Sequence, residues 1–366
     1  MRFPSTLALC IMPLIAVGCG SSSKPVTMAD SFDLDIFGPH VDDLHTPYVA
    51  GASFTINVNA DPSVNQGGWT LSSSDPNVMA VTSGLVGGSA DVLAKNPGSA
   101  TLTVKDESGN VVDTHTISVA IPNRVELFAQ GLLLTGATDG EAQVTEASIV
   151  EGGEATFLVR YFLDGTELYG SGALSSTATP GATSMSTSSS YATARDFLQI
   201  SVPPQGMSGT VSLLIDKTSV AEVPVTAVPA TQVSQVTILA QNSVGASKGA
   251  ELVLYAHAID ANSGDVFGAS FDWASNGTSE PSGALGGPAD LFFYDFDPSV
   301  TETVTAGYER FDPSYVVHGV GGSVGSSANV GCSAGPRSTF GESGMGAALS
   351  ALVALALLRA KRGRAT

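Results

Sequence analysis

Through the middle of the chain, short runs of β-branched and aromatic residues alternate with polar ones, and glycine, proline, asparagine or aspartate ends most runs. Phe54, Ile56 and Val58 alternate with Thr55 and Asn57, which gives an extended segment one apolar face and one wet face. Val78 with Ala80, and Ala100 with Leu102 and Val104, repeat the habit. Asp106 to Asn110 is a turn sequence leading into Val111 and Val112, as in a hairpin. From Arg124 to Pro229 the same rhythm recurs at Val125 and Leu127, Phe157 to Tyr161, Leu198 to Val202, Val211 to Ile215, and Val223 with Val225. Asp164-Gly165 there predicts a two-residue hairpin turn. The Ser/Thr/Gly-rich stretch Ser171 to Ser190 predicts a long exposed loop. A third block continues through Val236 and Ile238, Leu252 to Ala258, Phe271 with Trp273, Leu291 with Phe293, and Thr303 to Tyr308, and Val266 to Trp273 echoes the Trp69 region. Helical periodicity is almost absent outside the two ends. The pattern therefore predicts an all-β chain of tandem sandwiches.

Specific motifs sharpen the first block. Trp69, then Ser73-Ser74-Asp75-Pro76, Val78 to Val81, Gly84 with Val86, and Pro97-Gly98-Ser99-Ala100-Thr101-Leu102-Thr103-Val104 resemble a bacterial immunoglobulin-like domain of group 2 over residues 28–120. The resemblance implies that Trp69 plugs a two-sheet core, that Asp75-Pro76 starts a turn and that Gly98 bends the chain before a strand. Immunoglobulin-like sandwiches are then expected at 121–230 and 231–318, the latter with Trp273 echoing Trp69.

The ends read differently. Leu7 to Val17 is apolar after Arg2, long enough for a cleavable signal peptide over residues 1–18 and too short for a permanent span. Ala16-Val17-Gly18-Cys19 resembles a bacterial lipobox, which implies lipidation of Cys19 at the head of a linker, 19–27. Ala16 stands where that family usually carries leucine, and the small residues also suit ordinary secretion. Gly20 after the cysteine implies outer-membrane sorting. At the other end, a Gly/Ser linker over 319–344 holds Gly331-Cys332-Ser333, and residues 345–366 form a short apolar helix and a tail with Arg359, Lys361, Arg362 and Arg364. This arrangement resembles the MYXO-CTERM sorting signal and implies processing at Gly331, Cys332 and Ser333. Met345 to Leu358 would reach only about 21 Å as a helix, short of a bilayer's ~30 Å core. An unprocessed C-terminal transmembrane anchor is the other reading, and it leaves the body on the same side of the membrane.

All three cysteines, Cys10, Cys19 and Cys332, lie in these end segments, so the body must be held by burial without disulfides. The chain has 34 acidic and 15 basic residues; between Cys19 and Gly331 the balance is 33 against 9. Such a charge opposes binding to nucleic acid and to anionic lipid.

Candidate chemistry is sparse. Gly331 to Gly335 fits Gly-x-Ser-x-Gly but follows a linker and contains the sorting cysteine, so a processing site explains it better than a nucleophile elbow. His40, Asp42, Asp43 and His45 form a His/carboxylate cluster open to a zinc-type ion or to the bland reading of a solvated lead-in. Asp260, Asn262, Gly264 and Asp265 resemble part of a calcium loop but lack the bidentate glutamate, and a polar hairpin explains them equally. Asp295 and Asp297 are expected to face solvent. No cofactor and no catalytic set is expected. The sequence points to a non-catalytic, envelope-anchored surface protein acting in adhesion, spacing or scaffolding, or alternatively to a receptor subunit for a carbohydrate or protein ligand. Its expected partners are the membrane, envelope processing enzymes and a surface protein or polysaccharide.

Overall fold

A computed structural model describes residues 26–30, 44–179, 182–186, 195–206, 208–243, 246, 248–275, 280–281, 290–297 and 299–317. The body is all-β, as the alternation demands. The first sandwich packs two four-stranded sheets. One orders Thr27–Asp30, Ser53–Asn59, Ser89–Ala94 and Met79–Val81; the other orders Tyr48–Val49, Val111–Ala120, Gly98–Lys105 and Thr70–Ser73. Phe54, Ile56 and Val58 point into the core with Val92, Leu102, Val104 and Trp69, while Thr55 and Asn57 stay partly wet. Burying one such side chain stabilises by roughly 1.5–3 kcal/mol.

Local turns follow from identifiable residues. Gly98 has φ +151°, and a Cβ there would lie 2.9 Å from Val78 Cγ2, so any larger residue would collide with the core. Asp75 Oδ1 accepts from Asn77 N at 2.9 Å and closes its turn. Asp106 does the same for Asn110, and Lys105 pairs with Val111 beyond it.

The second sandwich sets one sheet of Gln143–Val144, Arg124–Ala129, Glu154–Leu163, Phe197–Ser201 and Ala182–Ser186, with Thr166–Leu168 added, against Leu174–Thr179, Gly209–Ile215, Thr218–Val228 and Ala147–Val150. Asp164 and Gly165 both take positive φ, 50° and 88°, and turn Glu154–Leu163 back into Thr166–Leu168. Two details depart from expectation. Ser171 to Ser190 is not one long loop: Leu174–Thr179 and Ala182–Ser186 are strands, each pairing with a different sheet. Threonine suits a pleated surface, and backbone pairing does not need an apolar run. The run Gly131 to Leu134 forms, with Gln130, a buried helical turn. Its length is too short to carry a periodic signal.

The third sandwich joins Val233–Ala240, Glu251–Asp260, Asp265–Phe267, Glu280–Pro281 and Leu291–Asp295 to a three-stranded sheet of Asp272–Ser275, Glu302–Gly307 and Ser314–Val317. Val266 to Trp273 divides between two strands in two sheets, with Gly268 at φ +72° between them. Trp273 is half-buried between the two cores of this sandwich, 5.3 Å from the Phe292 ring.

Candidate functional site: the two inter-sandwich junctions

Polar groups buried without an obvious structural duty gather where one sandwich meets the next. At the first junction, Asp30 ends an edge strand and is almost wholly buried. Its Oδ2 accepts from His45 N at 2.7 Å and from Tyr48 Oη at 2.5 Å, and its Oδ1 lies 2.8 Å from His45 Nδ1. The His45 ring packs against Tyr169 of the second sandwich, centroids 4.7 Å apart. Backbone bonds cross the same line: Val49 N donates to Tyr169 O at 2.8 Å and Tyr169 N donates to Pro47 O at 3.0 Å. Gly170 lets the chains approach, since a Cβ there would sit 2.5 Å from Ala52 Cβ.

Behind Tyr169 the second sandwich supplies a cationic brace. The Arg195 guanidinium lies 4.8 Å from the Tyr169 ring centre and donates to Glu167 at 2.9 Å. Asp196, beside it, accepts from Tyr161 Oη and, at 2.7 Å, from Gly172 N. Burial raises the Asp196 carboxyl above the ordinary carboxylate range, partly offset by those two donors. Burial, with the neighbouring Asp196 charge, raises the Tyr161 phenol as well.

The second junction is built from backbone. Ala147–Val150 pairs in parallel with Thr218–Val228 on one side and with Asp265–Phe267 of the third sandwich on the other. One nine-stranded sheet thus runs through both sandwiches. Phe157 meets Phe267 edge to face at 5.0 Å. Close packing excludes side chains: a Cβ at Gly268 would lie 2.9 Å from Ile149 Cγ2, and one at Gly131 would enter the Tyr255 ring at 2.2 Å. A cavity of about 10 Å³ remains, lined by Gln130, Thr156, Tyr255 and Asp290 among others. Gln130 Oε1 is buried there without a hydrogen-bond partner among the described residues. Burial pushes the Asp290 carboxyl up to about 6 from 3.8.

The residues singled out from sequence fare unevenly. Cys10, Cys19, His40, Asp42, Asp43, Gly331, Cys332, Ser333 and the apolar run 345–358 lie outside the described residues. His45 belongs to the Asp30 cluster. Asp260 Oδ1 accepts from Asn262 N and Gly264 N, both at 2.8 Å, so it closes the hairpin; these bonds lower its pKa. Asp265 turns away to His257 at 2.7 Å. Among the described residues, no three His, Cys, Asp or Glu side chains converge as a metal site would require. Asp295 is exposed, and Asp297 pairs with Lys248 at 2.7 Å, which with Ser299 holds its carboxyl down at about 2. Asp30, Tyr169, Arg195, Asp196, Gln130 and Asp290 were not foreseen. The one available signal was Arg195-Asp196 set between apolar residues.

No family model matches the chain, and no curated protein matches it. Among solved structures, domains 4–9 of the surface layer protein SbsC align over 81% of this chain and 47% of theirs, at 17% identity and a TM-score of 0.33. The Escherichia coli adhesin FdeC aligns over 81% and 97%, at 12% identity and a TM-score of 0.24. Invasin, a bacterial integrin-binding protein, aligns over 80% and 59%, at 14% identity and a TM-score of 0.23. The chain spans less than half the length of the surface-layer structures with the widest alignments. At these scores the likenesses carry nothing beyond the all-β architecture already visible in the strands.

Proposed function

We propose that this chain is a non-catalytic surface protein of the cell envelope whose three sandwiches form a stiff spacer for adhesion or scaffold assembly. The supporting observation is the pair of junctions. A flexible array of independent beads would leave polar, solvated linkers between domains. Here a continuous sheet joins the second sandwich to the third, and a buried carboxylate cluster with crossing backbone bonds joins the first to the second. On this reading Cys19 carries the lipid, Gly331-Cys332-Ser333 is the processing site, and the body is displayed at the outer membrane or cell surface. Its partners are the membrane, the processing enzymes, and a surface protein or polysaccharide.

Protease treatment of intact cells, combined with intact-mass analysis of the membrane-extracted protein, tests the assignment. Display predicts loss of the protein from whole cells and a mass showing a removed leader plus acyl chains. Full protection from protease on intact cells, or a full-length unmodified chain, would sink it. Adhesion itself is read by cell–cell cohesion in a deletion strain, which should fall and be restored by the wild-type chain.

A further inference from the structure

The chain leaves the described body at opposite poles. Thr27 pairs with Asn59, at the far end of the first sandwich from Ala52 and Gly170. Val317 pairs with Glu302 and packs with Leu252, Phe292 and Phe296, in the core of the third sandwich remote from Val150 and Val266. Strand Glu154–Leu163 connects the two sides: Phe157 meets the third sandwich, while Tyr161 reaches Asp196 near the first. The order along the body is therefore linear.

The pole at Thr27 has a distinctive surface. The described residues include five exposed large apolar side chains, and three of them, Val64 at 39%, Val86 at 78% and Val111 at 59%, lie on its turns. The turns pack together. Gln66 Nε2 donates to Val58 O at 3.0 Å, Val58 N donates to Gly88 O at 2.7 Å, and Gly68 lies against Glu107. Exposed apolar residues scattered singly need no explanation, whereas these three share one loop-built end. Cys19 is eight residues before Thr27, a reach of at most roughly 28 Å when fully extended.

We infer that this pole is a membrane-facing foot: Val64, Val86 and Val111 rest on the bilayer interface beside the Cys19 anchor, and the third sandwich points outward. The inference rests on the lipid-anchored reading above and adds to it an orientation and a contact surface. Charge selects the kind of surface. Asp61, Asp106 and Glu107 outnumber Lys105 on these turns, so an uncharged or zwitterionic headgroup layer fits and an anionic one does not.

The test is photo-crosslinking of the native, membrane-extracted protein in phosphatidylcholine vesicles doped with a photoactivatable phosphatidylcholine, followed by peptide mapping. Adducts are expected on peptides containing Val64, Val86 or Val111 and not on the peptide containing Val300, which lies at the other pole. A Val64→Asp/Val86→Asp variant should lose those adducts several-fold while keeping its acyl chains and its melting temperature. Intact mass separates the two levels of failure. Protein lacking acyl chains removes the anchor reading and the foot with it, whereas acylated protein with adducts on the third sandwich, or with none on the body, overturns the foot alone.

Discussion

The two junctions solve one problem with different chemistry. The first adds a side-chain key to two crossing backbone bonds: Asp30, His45 and Tyr48 from one sandwich set the Tyr169 platform that Arg195 braces from the other. The second is keyed by backbone, since the edge strand of one sandwich is the neighbour of the next. A keyed polar contact depends on every donor and acceptor being matched, because an unmatched buried group costs its full desolvation. A shared sheet depends instead on how closely two backbones approach. The first junction should therefore be most sensitive to loss of a polar atom, and the second to gain of a carbon.

The sharpest break should come from Gly268→Val. The left-handed φ of +72° and the approach to Ile149 and the Glu154 backbone leave no room for a branched side chain. Strain and overpacking together should cost about 4 kcal/mol. Urea unfolding followed by Trp273 fluorescence in a Trp69→Phe background should show the third sandwich melting first, as a separate transition. An unchanged midpoint would show that the close backbone approach at Gly268 does not hold the junction together.

Removing the key of the first junction should cost somewhat less. Asp30→Ala leaves His45 N, the His45 imidazole and the Tyr48 hydroxyl without their shared acceptor, for about 3 kcal/mol. Tyr48→Phe, which removes a single donor, should cost about 1 kcal/mol. If the two variants are equally destabilised in thermal unfolding, the cluster acts as packing and not as a polar key.

This asymmetry also explains what was legible in the sequence. The first sandwich was readable because its signals are local: Asp75 and Asn77, Asp106 and Asn110, and Gly98 before its strand act within a few residues. Alternation likewise placed Phe54, Ile56 and Val58 on the core face. Apart from Arg195-Asp196 set between apolar residues, neither junction has such a signal. Asp30 and Tyr169, or Ser148 and Val266, are brought together only by the completed fold, and each is an ordinary residue type in its own neighbourhood. The Ser171 to Ser190 misreading has the same root. Its strands are defined by partners at Gly209–Ile215 and Phe197–Ser201 and not by their own hydrophobicity. His45 was noticed for its neighbours in sequence, but its described partner, Asp30, lies 15 residues back.

A pH series sharpens the comparison further. Asp290, raised to about 6 from 3.8, is an acid whose charged form is disfavoured by folding. Its favourable contribution is complete below its ordinary value and is lost as pH rises through about 6. The third sandwich should thus gain about 1–2 kcal/mol between pH 7.5 and pH 5, opposite to the usual acid response. Asp196 is raised too and adds a change of the same sign at the first junction. Asp290→Asn separates the two contributions: it should flatten the pH dependence of the third sandwich alone. A variant as pH-dependent as wild type would place the titration elsewhere. Asp297, held at about 2, ionises below this window and stays silent in it.

The smallest effect concerns the hairpin between Asp260 and Asp265, and it separates a turn from an ion site. As a turn, Asp260 contributes two exposed bonds to backbone N–H groups, and Asp260→Ala should shift the melting temperature only slightly because water replaces a lost acceptor at the surface. As a calcium loop, the same carboxylate would serve as a hard oxygen ligand, and wild-type stability would rise with added calcium while the variant's would not. The described geometry favours the turn, because Oδ1 already faces two donors and Asp265 is committed to His257. Thermal unfolding in millimolar calcium and in chelator should therefore give the same midpoint for the wild-type chain. A shift of several degrees that vanishes in Asp260→Ala would reverse the assignment and make the third sandwich an ion-responsive element.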